Sequence, residues 1–300
     1  MSASPTAGRA GWRQLVPPFL LIAPVQLMVL LTIFLPVLYV AWLSVNQSSF
    51  GQNPEFVGLA NYVKVLSDPY FWRSLVNTVI IVLIVVHVEL LLGLAVGLLF
   101  ASGVPLRPLM LAAVLAPYAV SEISAVVMWR YMFDLDIGIM TQFLQMIGLP
   151  ALEWSINPTH GLVLIALLSI WLHLPFTFVI LYAARLAIPQ ELYEAAQVDG
   201  ATPWQRFVRI TLPLLAPAML IAMLFRYIFA FRLFSEVWLM TGGGPARQTE
   251  VLAVYLYLEA FRYNAFGEAA ATGWLLLIAS LVCAFWYLRR LYKEMFADYA

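Results

Sequence analysis

Charge is scarce in this sequence. Only 11% of its 300 residues are Asp, Glu, Lys or Arg, whereas 63% are hydrophobic and the mean hydropathy is +0.89. Soluble domains carry about a quarter charged residues, so this composition nearly excludes a water-soluble fold. The formal net charge is zero and the basic residues form no block, so we expect no nucleic-acid partner.

Cysteine and catalytic signatures are almost absent as well. Cys283 is the only cysteine, which excludes an intrachain disulfide. The three histidines form no His-Glu-x-x-His pair, and no nucleophile lies between the usual glycines, so an intramembrane enzyme has little support. The sequence also lacks the Gly-x-x-x-x-Gly-Lys-Ser/Thr phosphate loop, so the chain cannot hydrolyse ATP by that chemistry. We expect no metal, no cofactor and no catalytic residue in this chain.

Long apolar runs dominate what is present. A membrane-spanning helix needs about 20 apolar residues. Candidate spans lie at about 18–43, 74–100, 109–133, 161–184, 214–240 and 269–288. The first run is too long for a signal peptide and lacks an obvious cleavage site, so we expect it to remain as an anchor. With no repeat or long linker, the sequence predicts one all-α, polytopic membrane domain over residues 1–300, with six transmembrane helices.

The positions of the cationic residues predict the orientation of the spans, because cytoplasmic loops are enriched in Lys and Arg. An even number of spans places both termini on one side. With the amino terminus inside, the cytoplasmic cations are Arg9, Arg13, Arg107, Arg185, Arg206, Arg209, Arg289, Arg290 and Lys293. The external ones are then Lys64, Arg73, Arg130, Arg247 and Arg262. We therefore expect both termini, and the loop between the fourth and fifth spans, to be cytoplasmic.

That loop, 188–213, predicts two short helices separated by a turn. Pro189 suits a helix start, and Gly200 suits a left-handed helix end. Thr202 and Gln205 have the spacing of a capping box. The first helix is amphipathic but too short to be stable alone, so it needs a partner surface. Lipid headgroups are the simple alternative, although the acidic residues of this helix disfavour contact with anionic lipids.

The residues of this loop match a known family. Glu194, Ala195, Ala196, Gly200 and Pro213, with Ile210 and Leu212, resemble at every spacing the EAA loop of binding-protein-dependent ABC importers. In that family the loop sits in a groove of the ATP-binding subunit. The resemblance therefore implies an ATPase-coupling role for Glu194, Ala195, Ala196, Asp199 and Gly200, and a type I ABC importer permease fold.

Further motifs are similar to the sugar-importer branch of the family, and in particular to the first permease of maltose-, trehalose- and glycerol-phosphate-type systems. They are Leu59–Tyr62, Leu75–Thr78, Thr241–Pro245, Thr249 and Tyr257–Phe261. With six predicted spans, the sequence is expected to depart from the maltose prototype, without extra amino-terminal helices or a large second external domain. Regulatory interactions attributed to those additions are therefore not expected here.

The resemblance also implies a set of partners and a place in the cell. One six-helix permease supplies half a pore, so we expect a heterodimer with a second sugar-type permease in a bacterial inner or plasma membrane. The other expected partners are two copies of an ATP-binding subunit that holds ATP and Mg²⁺, an extracytoplasmic solute-binding protein, membrane lipid and a sugar substrate. ATP-driven alternating access would then move the sugar inward.

In this family the spans before and after the EAA loop hold the sugar. Projected onto this sequence, the substrate-binding residues are Ser169, Leu172, His173, Phe176, Arg226 and Phe229. Aromatic faces suit the C–H surfaces of sugars, and polar side chains suit their hydroxyls. Plain packing of the aromatic residues is the alternative interpretation.

Ionisable residues inside spans are costly and usually face a bundle interior or a watery cavity. They are His87, Glu89, Glu122, His173, Arg226, Arg232 and Glu236. Arg226 has no acidic residue three or four positions away, so its partner must lie on another helix, a neighbouring subunit or the substrate. Arg232 and Glu236 are four apart, which fits either an ion pair within one helix or a place in the transport cavity. These charges alone would also fit an ion-coupled secondary transporter or channel subunit, but such a carrier needs no ATPase docking loop.

Overall fold

A computed structural model describes Leu20 and residues 22–296, and it is almost entirely helical. The predicted all-α class is confirmed. The helices are α1 Ile22–Ser44, α2 Ala60–Ser67, α3 Pro69–Ala101, α4 Arg107–Ala119, α5 Glu122–Met132, α6 Ile139–Met146, α7 Pro158–Leu186, α8 Gln190–Val198, α9 Pro203–Ala230, α10 Ser235–Met240, α11 Leu252–Tyr257 and α12 Phe266–Phe296. Two short antiparallel strands, β1 Asn46–Gln47 and β2 Glu55–Phe56, form a ribbon between α1 and α2.

Five helices are long and apolar enough to cross a membrane: α1, α3, α7, α9 and α12. A sixth span exists if the bent pair of α4 and α5 is counted as one. The predicted first span starts at residue 18, and its residues 18, 19 and 21 lie outside the described ones, as do Arg9 and Arg13. The chain is thus a multi-pass membrane protein.

The two long central helices begin where the sequence caps them. Asp68 precedes Pro69 and accepts a 2.9 Å bond from the amide of Tyr70 at the start of α3. Asn157 precedes Pro158 and caps α7 in the same way. Because proline at the first helical position loses no intrahelical hydrogen bond, both caps fix the start of a span.

Helices α3 and α7 form the centre of the bundle, and small residues let them approach closely. A Cβ built on Gly93 would lie 2.9 Å from the Cγ2 of Thr177, and one on Gly97 would lie 3.5 Å from the amide of Tyr182. Buried side chains of both helices, such as Val86 and Leu181, belong to one hydrophobic cluster and continue this contact. Small residues spaced four apart thus form a packing face between the two helices, as is common in membrane proteins.

The predicted third span, 109–133, is not one straight helix. Helices α4 and α5 meet at an angle of 102°. Pro117 lies in the last turn of α4, and Val120 and Ser121 are extended between the two helices. Broken helices are tolerated at membrane depth where the freed backbone lines a cavity, and the residues around this break do line one.

The predicted fifth span, 214–240, also ends early. Helix α9 stops at Ala230, and a four-residue turn separates it from α10. Arg232 and Glu236 therefore do not share one continuous helix, and no ion pair joins them among the described residues. Glu236 instead occupies the first turn of α10, where the helix dipole favours an acidic residue.

The segment after α10 is tied to the start of α3. The side-chain amide of Asn77 donates to the backbone carbonyls of Gln248 and Glu250, at 2.8 Å each. The hydroxyl of Thr78 accepts a 2.9 Å bond from the amide of Leu252. Within the motif Thr241–Pro245, Gly242 and Gly243 adopt left-handed conformations and turn the chain after α10.

Candidate transport site

A cavity of about 540 Å³ opens between the broken helices and the central bundle. Its walls come from α4, α5, α7, α9 and α10. They consist of Pro117, Tyr118, Val120, Glu122, Ser169, Leu172, His173, Arg226, Phe229, Ala230, Arg232, Leu233, Ser235 and Glu236. The volume lies within the range of small-ligand pockets.

Five of the six residues projected as substrate-binding line this cavity. Ser169, Leu172 and His173 contribute from α7, and Arg226 and Phe229 from α9. The sixth, Phe176, lies outside the lining. Its ring packs edge-on against Phe225 and Phe229, at 6.2 and 6.1 Å between ring centroids. Phe176 thus packs against the ring of Phe229, which itself lines the cavity, and its contact with substrate stays a prediction.

Arg226 forms a buried ion pair with Glu89 of α3. Its Nη2 donates to one carboxylate oxygen at 2.8 Å, and its Nε contacts the other. Both residues are almost fully buried, at 2% and 0% exposure. Of the three partners considered for Arg226, the structure thus gives another helix of the same chain. The two-bond geometry satisfies both groups and compensates the cost of burying two charges.

His173 is held by the backbone of its own helix. Its Nδ1 lies 2.9 Å from the carbonyl oxygen of Ser169, so Nδ1 carries the hydrogen and donates it. The other ring nitrogen, Nε2, then remains as an acceptor in the neutral ring. A hydroxyl ligand in the cavity could donate to it.

Five further polar residues line the cavity and are not among those projected from the family: Tyr118, Glu122, Arg232, Ser235 and Glu236. Three of them stand out in the sequence as ionisable residues in a predicted span. Their placement depends on the two helix breaks, which bring the end of α4 and the start of α10 to one cavity. No group of three potential metal-ligating His, Cys, Asp or Glu side chains occurs among the described residues.

The loop with the EAA-like residues forms the helical hairpin that its pattern predicts. Helix α8 contains Glu194, Ala195 and Ala196, followed by Asp199 and Gly200. All five are exposed except Ala196, which is half-buried. Gly200 has φ of +81°, the left-handed conformation that favours glycine. The capping box is present: the Oε1 of Gln205 accepts from the backbone amide of Thr202 at 2.8 Å, and the Oγ1 of Thr202 accepts from the backbone amide of Gln205 at 3.3 Å.

The hairpin is anchored to the spans through one buried tyrosine. Tyr193 is 8% exposed, and its hydroxyl lies 2.9 Å from the Oγ1 of Thr211 in α9. The guanidinium of Arg185, near the end of α7, sits 4.3 Å from the centre of the Tyr193 ring. Just before Pro213, helix α9 contains a π-helical turn, Phe207–Thr211. Helix α8 is therefore bound to the ends of the two helices that wall the cavity.

Comparison with known proteins identifies the family. Residues 89–296 match the family described as "Binding-protein-dependent transport system inner membrane component". The chain belongs to this family. The match covers the cavity, the EAA-like hairpin and the last span, so the resemblance seen in the motifs is confirmed.

Curated relatives include sugar-type ABC permeases. The chain is 36% identical over 83% of its length to the "Trehalose/maltose transport system permease protein MalF" of Thermococcus litoralis, covering 84% of that protein. It is 31% identical over 95% of its length to the "Trehalose transport system permease protein SugA" of Mycobacterium tuberculosis, covering 91% of it. The chain is thus a sugar-type ABC importer permease by family.

Solved structures share the fold. A bacterial alginate ABC transporter in complex with an alginate-bound periplasmic protein contains a chain that matches with a TM-score of 0.79. The match covers 95% of this chain and 98% of that one at 22% sequence identity. At this identity the likeness supports the type I permease fold and carries nothing about the substrate.

Proposed function

We propose that this chain is one of two permeases of an ATP-driven sugar importer, and that it couples ATP hydrolysis to sugar movement through α8. The observation that carries the proposal is connectivity. Helices α7 and α9 supply Ser169, His173 and Arg226 to the cavity, and α8 joins these same two helices. A displacement of α8 is therefore transmitted to both walls of the cavity.

The surface of α8 suits a protein partner. Glu194, Ala195 and Asp199 are exposed, and Val198 is 88% exposed. Small residues allow the helix to enter a groove, and the exposed valine gives it apolar area to bury there. A separate ATP-binding subunit, present in two copies with ATP and Mg²⁺, is the partner that this surface fits. Because the ATP-binding subunit lies in the cytoplasm, the proposal places α8 and both termini on the cytoplasmic side of the membrane.

The transport cycle then follows from two states of the cavity. An extracytoplasmic binding protein delivers the sugar to a cavity shared with the second permease. Closure of the ATPase pair pushes α8 and opens the cavity outward, and hydrolysis returns it to the inward-open state. In this cycle the hydroxyls of the sugar bond to His173 and Ser169, and Phe229 contacts an apolar face of the sugar.

The test uses the chain co-expressed with its ATPase and second permease. Glu194→Lys reverses the charge of the exposed face, and Gly200→Trp places a side chain where φ is +81°. We expect both to abolish complex recovery and sugar-stimulated ATP hydrolysis.

Two matched controls separate the docking surface from general damage. Gly200→Asn keeps a residue that tolerates the left-handed region, so it should retain most of the activity. Glu153→Lys makes the same charge change on an exposed residue outside α8 and should have no effect. Unchanged assembly and activity in Glu194→Lys would overturn the coupling role and favour an ion-driven carrier.

A further inference from the structure

The charge of the cavity lining is one-sided once the buried ion pair is taken into account. The guanidinium of Arg226 contacts both oxygens of Glu89, so its charge is already neutralised within the protein. The formally charged residues that remain in the lining are Glu122, Glu236 and Arg232. Two carboxylates thus face one guanidinium, and none of the three takes part in an ion pair among the described residues.

Both carboxylates are placed by the helix breaks. Glu122 is in the first turn of α5, directly after the bend from α4. Glu236 is in the first turn of α10, directly after the turn that ends α9, and is only 3% exposed. The helix dipole favours an acidic side chain in the first turn of a helix, and both of these side chains line the cavity. The carboxylates are therefore built into the cavity walls.

A carboxylate in this position discriminates by charge. It accepts hydrogen bonds from sugar hydroxyls and repels a phosphate, sulfonate or carboxylate. The neutral donors and acceptors nearby, Tyr118, Ser169 and Ser235, suit hydroxyls equally well.

We infer that this half of the cavity takes uncharged sugars and rejects anionic ones, with Glu122 and Glu236 as the specificity-determining residues. The inference rests on the proposed function, since it concerns the substrate class of the same cavity. The sequence alone allows Arg226 to recognise an anionic substrate. The inference excludes that role, because Glu89 already neutralises the guanidinium of Arg226.

The experiment measures equilibrium binding to the purified complex of both permeases and the ATPase, without the binding protein. Its probes are matched pairs: the neutral disaccharides maltose and cellobiose, and their counterparts with glucuronate in place of one glucose. The readout is the ratio of neutral to anionic affinity. Because the second permease is the same in every sample, a change in this ratio reports the carboxylates of this chain.

In the native complex the ratio should favour the neutral sugar. Glu122→Gln and Glu236→Gln should each lower the ratio by about tenfold, the factor that a repulsion of about 1.4 kcal/mol gives. The double variant should lower it further. Glu236→Asp keeps the charge and should keep the native ratio even if packing changes, and Glu153→Gln, outside the cavity, should leave it unchanged.

The outcomes separate the inference from the function on which it rests. If the native complex binds neutral and anionic sugars equally, or the Gln variants keep the native ratio, the charge selection is wrong while sugar transport stands. If no sugar of either kind binds to the native complex or to any variant, the proposed function fails, and the inference fails with it.

Discussion

Helices α7 and α9 take part in two regions of the molecule that differ sharply, the α8 hairpin and the cavity. The hairpin that joins the end of α7 to the start of α9 exposes Glu194, Val198 and Asp199. Around the cavity, α9 buries Arg226 in a bidentate pair with Glu89 of α3. One region leaves surface for a partner, and the other satisfies its charges internally. Substitutions at the hairpin should therefore affect coupling more than stability, whereas substitutions at the ion pair should do the opposite.

The largest effect on stability should come from breaking the ion pair on one side only. Arg226→Met leaves the carboxylate of Glu89 buried without its partner, which costs about 3–5 kcal/mol of unfolding free energy. Replacing both residues, as in Glu89→Met with Arg226→Met, should recover most of that loss. Thermal unfolding in detergent checks both, and equal losses in the single and double variants would contradict the account.

Close packing of α3 on α7 should give the next effect. Gly93→Ala places a methyl group 2.9 Å from Thr177, and overpacking of this kind costs about 1–3 kcal/mol. Gly97→Ala is the matched control, because its added Cβ makes an ordinary contact at 3.5 Å. Unfolding in the same detergent should separate the two variants. Equal stability of both would show that the helices can separate slightly at no cost.

A smaller effect on stability is expected where α8 joins the spans. Tyr193→Phe removes the hydroxyl bonded to Thr211, at a cost of about 1–2 kcal/mol. The double variant with Thr211→Val should lose less than the two single losses combined. Because this contact holds α8, Tyr193→Phe should also raise the ATP consumed per sugar transported.

Tyr62→Phe is the control for that measurement. It removes a hydroxyl bond of the same length, 2.9 Å to Ser44, far from α8 along the chain. It should leave the ATP consumed per sugar unchanged. An equal rise in both variants would assign the effect to general loosening of the bundle.

The smallest effect concerns pH and a residue outside the spans. Burial, together with the nearby charge of Glu268, raises the pKa of Glu259 to about 7. A raised carboxyl pKa means that the folded state favours the protonated form. Its contribution to stability is present below the ordinary pKa near 4.5 and is lost as pH rises through about 7.

Glu259→Gln should therefore raise the Tm at pH 8 by about 2–4 °C and change it little at pH 5. The measurement is thermal unfolding at the two pH values. A gain of the same size at both would mean that the substitution acts through packing and that titration of Glu259 contributes nothing.

The hairpin and the cavity also differ in how far the sequence predicts them. The hairpin is local: Pro189, Gly200, Thr202 and Gln205 act on neighbouring backbone, so its caps and turn follow from spacing alone. The cavity brings together five helices from three separate stretches of the chain: α4 and α5, α7, and α9 and α10. That Ser169 and Arg226 line the cavity could be predicted from the family resemblance, whereas the same could not be predicted for Glu122 and Glu236.

The reason lies in the helix breaks. Apolar runs predict spans by their length, and the runs at 109–133 and 214–240 are each long enough to cross the membrane as one straight helix. Pro117 signals a weakness in the first, but proline within a span is common and does not by itself predict a bend of 102°. The partner of Arg226 could not be named either, because Glu89 lies 137 residues away in the sequence.

The central claim is that motion of α8 reaches the cavity, and one measurement tests it directly. Cys283→Ala removes the only cysteine, and Ser235→Cys then places a single thiol in the cavity wall. In the assembled transporter, ATP should reduce labelling of this thiol by an impermeant reagent added from the cytoplasmic side. Glu194→Lys should abolish the reduction. If ATP protects the thiol equally in that variant, or never changes its labelling, then α8 does not control the cavity.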